Sequence, residues 1–229
     1  MADKEILIFV EGPSDKVFLE VYLYFLEDLP IKNFKVQNIK GKDNLSKRLL
    51  EIEKYDKTLI IFDADKNYES NKKEILTVVS KTKQTISEEQ IFLFPNNQDD
   101  GDLETLLLEI AKYKEIIQCF KRYLKCIECK YIGIKEHHEL IKNIRKNMLY
   151  AYLEVFELQK FFQYEWDINN KKNEKKIIID DKGKIKEKHQ EEYEKLKEVI
   201  DFNSNSLIPL KNFLGQFAEN NQKTNLKIF

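Results

Sequence analysis

Acidic side chains recur in this chain directly after short apolar runs. Glu11 follows Ile6-Leu7-Ile8-Phe9-Val10, and Asp63 and Asp65 follow Leu59-Ile60-Ile61-Phe62. Asp99, Asp100, Asp102 and Glu104 come soon after Ile91-Phe92-Leu93-Phe94, and Asp15 lies one helical turn beyond Glu11. Carboxylates gathered in one place raise one another's pKa and repel, so such a group needs a cation to be stable. Oxygen-only donors select Mg²⁺, Mn²⁺ or Ca²⁺ over Zn²⁺. In Asp63-Ala64-Asp65 an extended backbone would turn both carboxylates the same way, so both could address one ion. Any one of these acids alone reads as a turn former or helix cap. Their joint occurrence at several strand ends is what points to metal, and Asp99 and Asp100 remain loop formers. Lys40 and Lys42, on either side of Gly41, could hold a phosphate electrostatically, or stand simply as exposed loop lysines.

The elements that must position these groups are legible in the apolar pattern. Glu5 to Val10 is a continuous apolar run stopped by Gly12-Pro13, as in a strand buried on both faces. Val17, Phe18, Val21, Tyr22, Phe25, Leu26 and Leu29 then recur at helical spacing, with Ser14 as the expected N-cap and Pro30 as the stop. Phe34 to Ile39 predicts a second strand, and Leu45, Leu49, Leu50 and Ile52 a second helix. Thr58 to Phe62 predicts a third strand, followed by a helix marked by Ile75, Val78 and Val79. Ile91 to Phe94, closed by Pro95, predicts a fourth, and Leu103 opens the next helix. Four strand-then-helix repeats with short links require right-handed crossovers and hence a parallel, helix-covered sheet, an α/β fold. In such a sheet the chemistry lies beyond the carboxyl ends of the strands, where the acids fall.

Residues 1–112 therefore form the expected α/β domain, and 113–229 a mainly helical extension packed on it. Tyr113, Phe120, Tyr123, Leu124, Leu140, Ile144, Leu149, Tyr152, Leu153 and Phe156 mark that extension, and Leu207 to Phe217 a closing helix. The polar, Lys-rich stretch at about 169–198 reads as a charged surface insertion. The formal net charge of -1 gives no bulk attraction to polyanions, but its distribution is uneven. Residues 1–115 carry 17 Lys and Arg against 23 Asp and Glu, whereas residues 116–229 carry 22 against 17. An acidic half joined to a basic half fits a carboxylate site beside a surface for nucleic acid.

Glu11-Gly12-Pro13-Ser14-Asp15 after one apolar strand, with Asp63-Ala64-Asp65 after a later one, resembles the Toprim domain. That Rossmann-like α/β domain is shared by bacterial-type primases, type IA and II topoisomerases, the nucleases of the OLD family and small ribosomal RNA maturases. The chain is most similar to small stand-alone bacterial Toprim-like proteins, through Phe94-Pro95-Asn96, Gly101-Asp102-Leu103-Glu104 and Leu207-Ile208-Pro209-Leu210-Lys211-Asn212-Phe213-Leu214. The resemblance implies Mg²⁺ or Mn²⁺ on Glu11, Asp63 and Asp65 for phosphoryl transfer. It implies a second acidic position at Asp15, as in the nuclease branch, and a further metal contact at Glu104. The third acid that many Toprim proteins carry soon after D-x-D has no clear counterpart, since Lys66-Asn67 follow. No Walker A motif is present, and the length leaves no room for a topoisomerase tyrosine domain or a primase polymerase extension.

The expected function is divalent-metal-dependent hydrolysis of a phosphodiester, with the alternative of a non-catalytic metal-binding module in a nucleic-acid-processing or defence complex. Metal on Glu11, Asp63 and Asp65 would activate the attacking water, and a second ion on Asp15 and Glu104 would stabilise the leaving oxygen. Cys119, Cys126 and Cys129, with His137 and His138 nearby, offer a zinc set, but on one helix they read as small buried thiols. No apolar run reaches the roughly 18–20 residues that span a bilayer. Three cysteines and a charged N-terminus leading into a strand predict a reducing cytoplasm rather than secretion.

Overall fold

The computed structural model describes residues 6–26, 34–81, 83, 85–131, 144–159 and 187–217. Four parallel strands, β1 (Ile6–Val10), β2 (Phe34–Asn38), β3 (Lys57–Asp63) and β4 (Ile91–Phe94), form one sheet in the order β2-β1-β3-β4. Helices α1 (Pro13–Phe25), α2 (Leu49–Ile52), α3 (Tyr68–Val79) and α4 (Leu103–Glu109) alternate with the strands, and a 3₁₀ stretch at Lys42–Arg48 precedes α2. The extension supplies α5 (Lys114–Tyr131), α6 (Ile144–Glu154), α7 (Glu187–Val199) and α8 (Ile208–Gly215). The α/β fold with a helical extension, expected from the sequence, is what the chain adopts.

Strand pleating divides the core into two layers. Ile8, Val10, Leu59, Ile61, Phe92 and Phe94 face one side of the sheet, against α1, α4 and the extension helices. Leu7, Phe9, Ile60, Phe62, Ile91 and Leu93 face the other, against the 3₁₀ stretch, α2 and α3. Both sides are apolar because helices cover both, which is why β1, β3 and β4 read as unbroken apolar runs, while β2 at the edge does not. The first layer stacks Phe94 edge-on to Phe18 and Phe92, and tilts Phe92 against Phe213 of α8. The two halves of the chain thus share one core.

Three local expectations need correction. The N-cap of α1 is Gly12, not Ser14, because Asp15 at the third helical position accepts a bond from the Gly12 backbone N–H at 2.6 Å. The second helix is mostly 3₁₀, and Leu50 is 75 % exposed rather than core. The charged insertion does not run to 198 as a solvated excursion. Tyr193, Leu196, Val199 and Ile200 are buried in the main core. The Val199 carbonyl accepts from the Tyr152 hydroxyl at 2.6 Å and from the Lys112 N–H at 2.9 Å. Leu140 and the remainder of the insertion, 169–186, lie outside the described residues.

Candidate functional site

The strand order fixes where a site can form. From β1 the chain crosses to β2 on one side, then returns over β1 to β3 on the other, so the connections diverge above β1 and β3. That divergence opens a crevice at their carboxyl ends, the position where open α/β sheets bind ligands. Glu11 leaves β1 there and Asp63 ends β3 there. The register sets the two strands side by side, Val10 opposite Ile61. A cavity of about 260 Å³ occupies the crevice, and Glu11, Asp15, Asp63 and Glu104 all line it, with Lys40 and Lys146 at its wall.

The turn after β2 closes one side. Lys40 and Gly41 both adopt positive φ, 62° and 98°, and the Gly41 N–H donates to the Glu11 carbonyl at 2.8 Å. A side chain is disfavoured at a φ of 98°, so glycine is the residue this fold-over requires. α1 brings in Asp15, which is only 6 % exposed. α4 brings in Glu104 and anchors Asp63, whose Oδ1 accepts from the Leu103 N–H at 2.9 Å.

Burial dominates the electrostatics. Desolvation raises the Glu11 carboxyl above its ordinary value, and the charge of Asp65 adds to it; Lys42 and the backbone N–H groups of Asp63 and Lys42 oppose it. Asp15 is pushed up to about 7, chiefly by burial and then by Glu104 and Glu11, against the pull of the Gly12 N–H. Asp63 is pushed well up by burial and by Asp15, Glu11 and Glu104 together. Burial also raises Glu104, with Asp102 adding to it and Lys146 and Arg145 opposing. Oε2 of Glu11 is buried and has no hydrogen-bond partner.

Asp65 stands apart from these four. It adopts φ 53°, so the extended geometry that would aim it alongside Asp63 does not hold. Its backbone pairs with Gly101, N–H to carbonyl at 2.7 Å. Gly101 has φ 147°, and a Cβ there would stand 3.0 Å from Cδ of Pro95 and 3.1 Å from Oγ1 of Thr105. The Asp65 carboxylate accepts from Nζ of Lys42 at 3.0 Å, and that ammonium also donates to Oδ1 of Asn71 at 2.9 Å. Lys42, expected as a phosphate ligand, is therefore engaged by Asp65 and Asn71, whereas Lys40 lines the cavity.

Other acids of this edge do structural work. Asp102 caps α4 by accepting from the Thr105 N–H at 2.8 Å, and it takes both Nε and Nη2 of Arg145, at 2.8 and 2.7 Å. Asp100 accepts from the Tyr68 N–H at 2.8 Å and Asp99 from the Asn96 amide at 2.8 Å, in line with their reading as loop formers.

Sequence reasoning marked the helical pattern of α6 but missed what that helix brings to the site. Lys146 lines the cavity and its charge acts on Asp15 and Glu104. One turn on, Tyr150 bonds Ser14, with its hydroxyl pushed up chiefly by burial. Nothing in the local sequence marks Lys146 among so many lysines. Its only signal is the four-residue spacing to a tyrosine on a half-apolar helix.

The donor set suits a hard cation: four carboxylates, one with a buried orphan oxygen, and no sulfur or imidazole lining the cavity. Among the described residues, no three His, Cys, Asp or Glu side chains already stand close enough to hold a metal ion. Ligation would therefore take rotation of side chains within the cleft. The cysteine expectation is corrected: Cys119 and Cys126 are exposed free thiols, not buried ones. The side chain of Cys129, with His137 and His138, lies outside the described residues. No described helix is long and apolar enough to cross a membrane.

Neither a curated protein nor a solved structure matches the chain. A family model does, that of a protein family of unknown function, DUF3226, over residues 5–219. The match takes in the sheet, the acidic crevice and the helices that cover it, and the chain is a member of the DUF3226 family.

Proposed function

We propose that this chain is a Toprim-like protein that hydrolyses phosphodiester bonds of nucleic acid with Mg²⁺ or Mn²⁺ held in the crevice between β1 and β3. One observation carries the reading. Oε2 of Glu11 is buried and unpartnered, and Glu11 lines a cavity with Asp15, Asp63 and Glu104, four carboxylates whose ionised forms burial and mutual repulsion disfavour. A polar group left unsatisfied in the interior costs about 1–3 kcal/mol, and more when charged, so an arrangement of this kind calls for a cation. Glu11, Asp15, Asp63 and Glu104 would hold it, with Asp65 at the edge. When bound, the ion supplies Lewis-acid polarisation of a phosphoryl oxygen and a more acidic water.

The chain's own residues do the rest. Lys146 and Lys40, at the cavity wall, attract the phosphate to an otherwise acidic pocket. The Asp63–Leu103 bond and the Gly12–Asp15 bond each tie one oxygen of a carboxylate at this edge. The helical extension contributes Lys146, and the excess of Lys and Arg over Asp and Glu in residues 116–229 would favour a polyanion. The setting we propose is a reducing cytoplasm, which the exposed free thiols of Cys119 and Cys126 suit.

A second reading has its own support. With the second acid of D-x-D paired to Lys42, the chain also fits a metal-binding module without catalysis. The test is a degradation screen over single-stranded, nicked and duplex DNA, RNA and small phosphodiesters. The first reading expects cleavage with Mn²⁺ or Mg²⁺, none with Ca²⁺, and loss of at least about a hundredfold in Glu11→Gln. Undiminished activity in Glu11→Gln would overturn the site. No cleavage of any substrate by wild type, with metal still bound, would favour the module.

A further inference from the structure

Lys42 spans the two acidic positions that the crevice keeps apart. Its backbone N–H acts on the Glu11 carboxylate, while its ammonium holds Asp65 at 3.0 Å and Asn71 at 2.9 Å. Asn71 is buried, and its amide donates to the Ala64 carbonyl at 2.5 Å, so the ammonium is held from a rigid side. The Asp65 backbone is clamped by Gly101, while its side chain is 47 % exposed and held by the Lys42 ammonium. The carboxylate is thus close enough for its charge to act on Glu11, yet it does not line the cavity. To reach the cavity it has to lose one partner, the Lys42 ammonium, and rotate.

We infer that Lys42 is a positioning residue that withholds Asp65 from the metal until an anionic phosphate draws its ammonium away, so that metal and phosphate bind cooperatively. This rests on the metal reading above and adds the order in which the site assembles. A phosphate oxygen competes with Asp65 for Lys42, and the freed carboxylate joins Glu11 and Asp63 on the ion. By linkage, whatever factor phosphate adds to metal affinity, metal adds to phosphate affinity. The pairing also gives the D-x-D spacing a use that its left-handed backbone otherwise denies.

The experiment is a double-mutant cycle on Mn²⁺ affinity, read by electron paramagnetic resonance of free Mn²⁺. The proteins are wild type, Lys42→Met, Asp65→Asn and the double variant, each with and without a phosphorothioate-linked oligothymidylate. In wild type the oligonucleotide should tighten Mn²⁺ at least about tenfold. Lys42→Met should bind Mn²⁺ tightly without the oligonucleotide and gain little from it. Asp65→Asn should bind weakly in both states, and adding Lys42→Met to it should change nothing. Lys42→Arg, which keeps the charge, should restore most of the cooperativity. An equal gain from Lys42→Met in the wild-type and Asp65→Asn backgrounds would make the effect one of general charge and overturn the inference. So would cooperativity that survives Lys42→Met. Failure of every variant to bind Mn²⁺ would instead remove the metal reading itself.

Discussion

Two acid-rich turns lie at the same edge of the sheet, and they are built on opposite terms. Around the β4–α4 turn, Asp99, Asp100 and Asp102 each have a partner: an Asn96 amide, the Tyr68 N–H, and the Thr105 N–H with the Arg145 guanidinium. Above β1 and β3, Glu11, Asp15, Asp63 and Glu104 are drawn into a cavity where burial is the first force on every carboxyl and raises it. The first group stabilises the fold, Asp100 and Asp102 by satisfying the starts of α3 and α4 and Asp99 by tying the loop to Asn96. The second stores repulsion that a ligand would relieve. Count of acids does not separate the two turns; partners and burial do.

Opposite substitution effects would sharpen that contrast most. Asp15→Asn keeps an acceptor for the Gly12 N–H while removing a buried charge, so at pH 8 without metal it should stabilise the protein, by at most about 4 kcal/mol. Asp102→Ala removes a cap and a bidentate arginine partner, and should destabilise it by about 1–2 kcal/mol. Urea unfolding of the two variants checks both, and like signs would break the comparison.

Next in size is the pH response of the metal-free protein. The Asp15 carboxyl is raised from 3.8 to about 7, so between those values the native state binds more protons than the unfolded chain. Stability is therefore greatest at the acid end of that window and falls as pH rises through it, by up to about 1.4 kcal/mol per pH unit for this group. The raised Asp63 and Glu11 act in the same direction. Mg²⁺ or Mn²⁺ should flatten the slope, and Asp15→Asn should reduce it. Melting temperatures from pH 5 to pH 8 decide this, and a melting temperature that climbs toward pH 8 would contradict the buried cluster.

A smaller effect is expected at Asp100. Asp100→Ala leaves the Tyr68 N–H at the start of α3 without its side-chain acceptor, worth about 0.5–1 kcal/mol, with no change in metal response. Smallest of all is Cys126→Ser, an exposed position whose exchange should shift stability by no more than about 0.5 kcal/mol. Loss of the fold in that variant would mean the thiol has a partner of structural weight.

Much of the architecture is legible in the order of the residues. β1, β3 and β4 stand where the unbroken apolar runs lie, because strands covered on both faces show no polar alternation, whereas β2 at the sheet edge alternates as Phe-Lys-Val-Gln-Asn. The strand ends then carry Glu11 and Asp63 to one crevice. What the sequence hides depends on contacts between distant segments. The turn of Asp65 to φ 53° follows from its pairing with Gly101, and the cap at Gly12 follows from the reach of Asp15. α7 reads as solvated because most of its residues are charged, yet Tyr193, Leu196 and Val199 on one face bury it in the core. Lys146 arrives from a helix far along the chain, with no motif to announce it.

The most direct test is the Mn²⁺-induced shift in melting temperature for wild type, Asp63→Asn and Asp102→Asn measured together. Ligand that binds only the folded state stabilises it by RT ln(1 + [L]/Kd), about 2.7 kcal/mol at a hundredfold excess over Kd. Wild type and Asp102→Asn should both rise, since Asp102 caps α4 and does not line the cavity, and Asp63→Asn should not rise. An undiminished rise in Asp63→Asn, or none in wild type, would contradict a metal-binding carboxylate cluster between β1 and β3.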